Sequence, residues 1–458
     1  MEIRCVYTEG NQNVIQEAVD RLPSAGGTVI MPRGNWKSGA IHLKSNVKLY
    51  LEEGCVIHFS SCMEDYLPPV FTRWEGVECY NYSPLIYAAD CENVTICGTG
   101  VLDGAGSAWW HWKKLQQNAA DRLIRAESQG IVVEERVFAT REDALRPSFI
   151  QFINCKHVTL EDFTIEDGPQ WMIHPVYCED VVVRGVTVNT KGPNTDGCNP
   201  DSCRKVLIED CTFDTGDDCI AINSGMNEDG WRVGRPCEQI EVKNCRFIGG
   251  HAAVAIGSGM SGGICDIRIH DCVVRGTERG IRIKSMRGRG GYVKRINVER
   301  MQMDEIEKEA IEVSMNYGSS TAVPVSQKAP EFSEIRFAHI RGNHAAVGVS
   351  LCGLPESPLR KLTLEDVVID AEDPLREEYV EKQNTFSRGS CAYERLTFRR
   401  FGANLRKVDT HKHEEEESTS ADTLQRDFQL RGRSLLRGNE EGRMEDGFGV
   451  AGLNTGRY

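Results

Sequence analysis

The chain has 458 residues, 40% of them apolar and 27% charged, with 44 glycines and a formal net charge of −14. That composition belongs to a folded chain rich in turns, long enough for two or three domains or for one extended repeat. The acidic balance excludes a protein whose whole surface binds nucleic acid or acidic membranes, and no run approaches the ~18 apolar residues of a membrane helix.

The opening residues, MEIRCVYTEGNQ, contain no apolar core of a signal peptide. The 18 cysteines form no CxxC pair and no His/Cys spacing suited to zinc. Many cysteines without an export signal imply reduced thiols, so a cytoplasmic location is expected, with neither metal nor other cofactor. Residues 11–22, NQNVIQEAVDRL, carry helical spacing at Val14, Ile15, Ala18, Val19 and Leu22. Such a helix would cap an exposed strand edge.

From there the chain reads as a stack of short strands. Val47 in NVKLYLEEG and Val94 in NVTICGTG begin two early members. Residues 104–147 interrupt them with a partly helical insertion. Its Trp109, Trp110 and Trp112 either pack that insertion or stack on sugar faces. Strands then start at Val158, Val181, Val206, Ile240 and Ile267, separated by 23, 25, 34 and 27 residues. Further members start at Ile296, Ile335, Leu362 and Leu396. Each alternates in and out with the two-residue period of a half-buried strand, and no helical period lies between the first five. Strands in equal register joined by Gly/Asp/Asn turns define an all-β parallel β-helix. Cys211, Cys245 and Cys272 share one repeat position and are expected as a buried stack of thiols. Residues 1–403 form this domain. After about Asn404 the repeat gives way to a charged tail, including HKHEEEES from His411, expected to be poorly ordered.

Counting each coil from its first strand residue brings distant charges together. Asp217 and Asp218 stand at offsets 11 and 12 from Val206, and His251 at offset 11 from Ile240. A second strand starts at offset 14 in three successive coils, at Ile220, Val254 and Ile281. Arg282 and Lys284 are therefore one coil beyond His251, and Asp196 one coil before Asp217. Taken singly, NTDG and TGDD are ordinary turn sequences. That reading leaves unexplained why a His and an Arg-x-Lys strand share their wall. Stacked carboxylates repel, so one should hold a proton near neutrality. Such a cluster suits acid/base chemistry, and two carboxyls with room for water suit inverting glycoside hydrolysis. Arg282 and Lys284 suit an anionic substrate, here an oligosaccharide.

The order NTDG (from Asn194), GDDCIAIN (from Gly216), GGH (from Gly249) and RIK (Arg282–Lys284) resembles the polygalacturonases, family 28 of the glycoside hydrolases. The likeness runs from about Val14 to about Asp370. NQNVIQEAVDRLPSAGGTVIMPRG and QWMIHPVYCEDVVV resemble bacterial members in particular. The resemblance implies a right-handed, pectin-lyase-like parallel β-helix and inverting hydrolysis of α-1,4-linked galacturonic acid. It also implies roles. Asp217 is the general acid, Asp196 and Asp218 activate water, His251 supports the acid, and Arg282 and Lys284 hold the substrate carboxylate. Asn194, Asn223, Trp171 and His174 are candidate substrate contacts; for Trp171 and His174, packing is the equal alternative. Ala252 stands where the family has Gly after its His, and Asn223 where many bacterial relatives have Lys. Arg287 and Arg289 follow the RIK strand and extend the basic surface.

A cytoplasmic enzyme would meet only short chains, so exo action is expected. Three other readings compete. A rhamnogalacturonan or xylogalacturonan hydrolase fits the fold, though His251 and Lys284 argue against the rhamnogalacturonan type. A pectate lyase would need calcium and an Arg base. A non-catalytic β-helix carbohydrate-binding protein would leave the aligned wall without a purpose.

Overall fold

Val47, Val94, Val158, Val181, Val206, Ile240, Ile267, Ile296, Ile335 and Leu362 stand in one continuous in-register column of parallel strands. The alternation explains the column. In Lys156–Glu161, Val158 and Leu160 point into the core while Thr159 and Glu161 face outward. Each strand leaves its neighbour's backbone satisfied, so the stack grows coil by coil. The fold is a right-handed parallel β-helix. The structure is a computed structural model and describes residues 1–7, 10–318, 325, 327–381 and the backbone of Ala392–Arg399. The chain divides into two units, Met1–Phe401 and Gly402–Tyr458. The charged tail expected from residue 404 lies outside the described residues.

A corner follows the first strand of each coil. The turning residue takes left-handed backbone at Asp162 (φ 68), Asp210 (φ 57), Asn244 (φ 55) and Asp271 (φ 54). Asp and Asn tolerate that region because their short side chains bond locally, which is why they recur at this position. The next residue points inward, placing Phe163, Val186, Cys211, Cys245, Cys272 and Met301 in the core. The expected thiol stack is thus present. A second stack, Cys91, Cys155, Cys178, Cys203 and Cys237, runs beside the first wall. Its thiols donate to carbonyls of the preceding coil, as from Cys178 Sγ to Phe152 O (3.2 Å) and Cys203 Sγ to Pro175 O (3.1 Å).

The strand starting at offset 14 builds another wall. Ile150, Ile173, Cys198, Ile220, Val254, Ile281 and Ile311 follow one another in register. From Tyr292 onward the walls merge into long bent strands, Tyr292–Ser314 and Glu331–Cys352. One expected register is corrected. Leu396 pairs with Val367, five places beyond Leu362, so it does not begin its strand as the other members do. The apolar alternation read as a strand start here falls inside a strand that begins at Ala392.

The helix Val14–Arg21 buries Val14, Ile15, Ala18 and Val19 against the first coil, as its spacing requires. The insertion contains the helix Gln117–Ala126 flanked by 3-10 turns. Trp109 and Trp112 are buried with ring centroids 5.0 Å apart, and Trp110 Nε1 donates to Gly168 O (3.0 Å). All three pack the insertion. An antiparallel hairpin, Val70–Trp74 with Val77–Asn81, also leaves the coil. It lies over the wall built by Ile150–Ile153 and Ile173–Val176: Thr72 Oγ1 donates to Gln151 and Gln151 Nε2 to Arg73 O.

Candidate active site

The wall carrying Ile220, Val254 and Ile281 ends in a pocket lined by Asp196, Asp217, Asp218, Asn194, Asn223 and Lys284. Trp171 and Tyr317 also line it, as do Glu75 and Gly76 from the hairpin tip. One carboxylate oxygen from each of the three aspartates lies within 4.8 Å of the others. Adjacent coils supply them. Asp196 precedes Cys198 on one coil, and Asp217–Asp218 precede Ile220 on the next.

Each aspartate has different partners. Asp196 is 5% exposed, and its Oδ2 accepts from Asn199 Nδ2 (3.0 Å). Burial, and then the charges of Asp217 and Asp218, push its carboxyl well above the usual range. Asp217 Oδ1 accepts from the Asp218 backbone N–H (3.0 Å) and lies 3.0 Å from His251 Nδ1. Burial opposes ionisation of Asp217, but the His251 hydrogen bond and charge outweigh it and hold the carboxyl below its ordinary value. The same bond raises His251, whose side chain is 46% exposed. Asp218 Oδ2 accepts from Lys284 Nζ at 2.7 Å. Its Oδ1 is buried and accepts from no described group. Burial works against the Lys284 charge, yet Asp218 holds the ammonium above its usual value. Within the cluster a proton is therefore favoured on Asp196, and His251 is shifted toward its protonated form.

The remaining candidates divide. Asn194 Oδ1 accepts from the buried Arg146 (2.7 Å), and its amide reaches Asp217 Oδ2 at 3.5 Å. Asn223 donates to Ala221 O (3.2 Å) and faces the pocket. Trp171 faces it too. Arg282 is engaged by Glu312 (2.7 Å) and lies 5.2 Å from the Tyr317 ring, outside the pocket lining. His174 is corrected. It is 1% exposed, with Nδ1 2.8 Å from Gln151 Nε2 and Nε2 3.8 Å from Asp201. Alternation puts it on the outer face of its strand, but the hairpin covers that face, so it packs instead of meeting substrate. The Ala252 methyl meets no obstacle, since it packs with Ala221 and Ala255.

Glu75, Gly76, Arg146 and Tyr317 were not singled out by the sequence. Gly76 O accepts from Met226 N (3.1 Å), fastening the hairpin tip to the wall. Glu78 N donates to Asp229 (3.1 Å), and Arg73 pairs with buried Asp201 (2.9 Å). These contacts join residues 128 to 151 positions apart and leave no periodic signal. The three aspartates are close enough for a divalent cation. Lys284 and His251 already neutralise two of them, which disfavours a resident ion on charge grounds.

A β-helix wall with three convergent carboxylates, a buried ammonium and a supporting imidazole defines a glycoside hydrolase. The chain belongs to the glycosyl hydrolases family 28, whose model matches residues 31–391. A Vitis vinifera chain described as "Probable polygalacturonase" is 32% identical over 78% of this chain and 71% of its own length. The exo-poly-alpha-D-galacturonosidase of Dickeya chrysanthemi is 27% identical over 68% of this chain and 55% of its own. The hyperthermoactive exopolygalacturonase of Thermotoga maritima superposes with a TM-score of 0.81 at 33% identity, covering 87% of this chain and 92% of that one.

Proposed function

We propose that this protein hydrolyses α-1,4-linked galacturonide chains from one end, with inversion at the cut carbon. The observation that carries this is the meeting of three aspartates and the Lys284 ammonium in a pocket bounded by the Glu75–Gly76 hairpin tip. The named activities of the Dickeya and Thermotoga relatives support both substrate and mode. The fastened hairpin, whose tip lines the pocket, supports exo action as a fixed wall beside the site for a chain end.

The carboxylates are closer than the ~6.5–9.5 Å typical of inverting pairs. A single water can still serve two of them. With hydrogen bonds of about 2.8 Å and a tetrahedral angle, it bridges oxygens about 4.5 Å apart. Asp196 and Asp218 hold that water, and the ionised Asp218 takes its proton as the oxygen attacks the anomeric carbon. Asp217 gives a proton to the departing glycosidic oxygen. A uronate carboxylate arriving at Lys284 draws the ammonium's field away from Asp217 and raises its proton affinity. His251 then supplies the proton that Asp217 passes on, so turnover falls as pH rises through the raised value of His251. Free thiols in buried columns support placement in a reducing compartment such as the cytoplasm.

Incubation with digalacturonate and polygalacturonate, followed by product analysis, tests the reading. Galacturonate released singly from both, with EDTA present, is expected. A ladder of oligomers from the polymer overturns the exo mode, and unsaturated products indicate a lyase.

A further inference from the structure

Most cations around the pocket are matched to a carboxylate, and buried Arg146 is satisfied instead by the oxygens of Gln116, Pro169, Pro193 and Asn194. Lys284 has Asp218, Arg282 has Glu312, and Arg287 has Glu356 at 2.5 Å. Arg289 differs. Among the described residues no carboxylate oxygen lies within 4.0 Å of it. Its Nη1 donates to the neutral amide oxygen of Asn227 (2.5 Å), and its Nε is buried and donates to no described group. Burial pushes the guanidinium down to about 10, with only the more distant charges of Tyr317 and Glu228 opposing. A desolvated cation without a counter-ion is costly to keep, so an anion is expected to reach it.

The surroundings hold Arg289 in place. Trp231 Nε1 donates to Arg289 O (2.8 Å), and Gly288 N and Gly290 N both donate to Lys328 O (2.8 and 3.2 Å). The turn needs left-handed backbone at Gly290 (φ 55) and Gly291 (φ 68), which explains the RGRGG sequence. Asn227, which Arg289 grips, directly follows Met226 in the pocket lining. Tyr317, also in the lining, stands 5.3 Å from Lys284 Nζ and is felt electrostatically by Arg282, Lys284 and Arg289 alike. Arg289 itself stands outside the pocket lining; it connects to that lining through Asn227, the chain neighbour of Met226, and Tyr317 is near enough to act on both Arg289 and Lys284.

We propose that Arg289 anchors a second carboxylate subsite, taking the uronate of a sugar adjacent to the one whose carboxylate meets Lys284. This deepens the galacturonide reading and rests on it for the ligand. A guanidinium gives a carboxylate charge-assisted hydrogen bonds in a fixed plane, so the site selects charge as well as shape.

Binding of trigalacturonate and of its fully methyl-esterified form is measured by calorimetry on the Asp217→Asn protein, which is expected not to turn substrate over. Arg289→Gln on that background should weaken the acid by about tenfold or more and the ester by less than about twofold. Arg289→Lys, which keeps the charge but loses the fork, should fall between. Adding Lys284→Ala should multiply the loss, because two separate carboxylates are being released. Equal weakening of acid and ester overturns the proposal, as does no weakening or a loss that vanishes once Lys284 is gone. Failure of the acid to bind either protein also overturns it. Turnover by the unmodified enzyme judges the hydrolase reading separately.

Discussion

On the outer face of the β-helix, Arg184 lies between Glu209 (2.6 Å) and Glu161 (3.0 Å), and Arg268 lies between Glu299 (2.8 Å) and Glu241 (3.4 Å). On the cleft wall, Asp196 lies beside Asp217 and Asp218 with oxygens within 4.8 Å. Both arrangements come from one device, the in-register stacking of equivalent positions on successive coils. Outside, the stacked charges alternate in sign and half-exposed side chains are screened by water, so each pair contributes little. In the cleft, like charges are stacked and buried. That arrangement costs stability and binds a proton, and it is also what a water-activating site needs. The repeat supplies position to both regions, and the sign of the stacked charges separates scaffold from chemistry.

The largest effect should come from Asp217→Asn. It keeps the shape and the backbone contact while removing the proton donor, so kcat should fall by ~10²–10⁴-fold with the melting curve nearly unchanged. Near-normal turnover would remove the distinction between the cleft aspartates and ordinary turn residues. Next comes Lys284→Ala. The ammonium is buried against Asp218, and truncating one side of such a pair costs ~2–5 kcal/mol. The loss in kcat/KM should be large on galacturonides and much smaller on methyl-esterified substrate. Equal losses on both would make Lys284 a support for Asp218 and nothing more.

Asp196→Asn sharpens the contrast in stability. The Asp196 carboxyl gains proton affinity on folding through burial and the charges of Asp217 and Asp218. Such a group contributes stability that is full below its unfolded value of about 3.9 and is lost as pH rises through the folded value. The variant lacks this loss. It should melt higher than the parent at about pH 8, with the advantage shrinking toward about pH 4, while activity disappears. A lower melting temperature at the alkaline end would contradict the like-charge account. Arg184→Ala should do least, costing less than about 1 kcal/mol with kcat/KM unchanged, as measured by denaturant titration and steady-state kinetics.

Much of this was legible in the sequence for a physical reason. A parallel β-helix converts spacing along the chain into neighbourhood in space, so offsets from Val206, Ile240 and Ile267 correctly stacked Asp217, His251 and Lys284. The same logic failed wherever the chain leaves the coil. The 70–81 hairpin has no repeat to align, yet its tip bounds the pocket and its strands bury His174. Arg146 reaches Asn194 from the end of the insertion, again without a period to follow. The second cysteine column escaped because its members precede the strand starts from which the coils were counted. Leu396 was misplaced because its apolar alternation falls inside a strand that begins earlier, at Ala392. Spacing located the residues of the wall, and tertiary contacts decided which of their faces remained open.

The most direct measurement is the anomeric form of the first product, followed by proton NMR as trigalacturonate is cleaved. Water held between Asp196 and Asp218 while Asp217 protonates the leaving oxygen must displace it from the opposite face. The account therefore predicts that β-galacturonate forms first and later mutarotates, and that the Asp217→Asn protein gives no signal on the same timescale. Initial release of the α-anomer would mean double displacement through a covalent intermediate, and the shared-water assignment of Asp196 and Asp218 would be wrong.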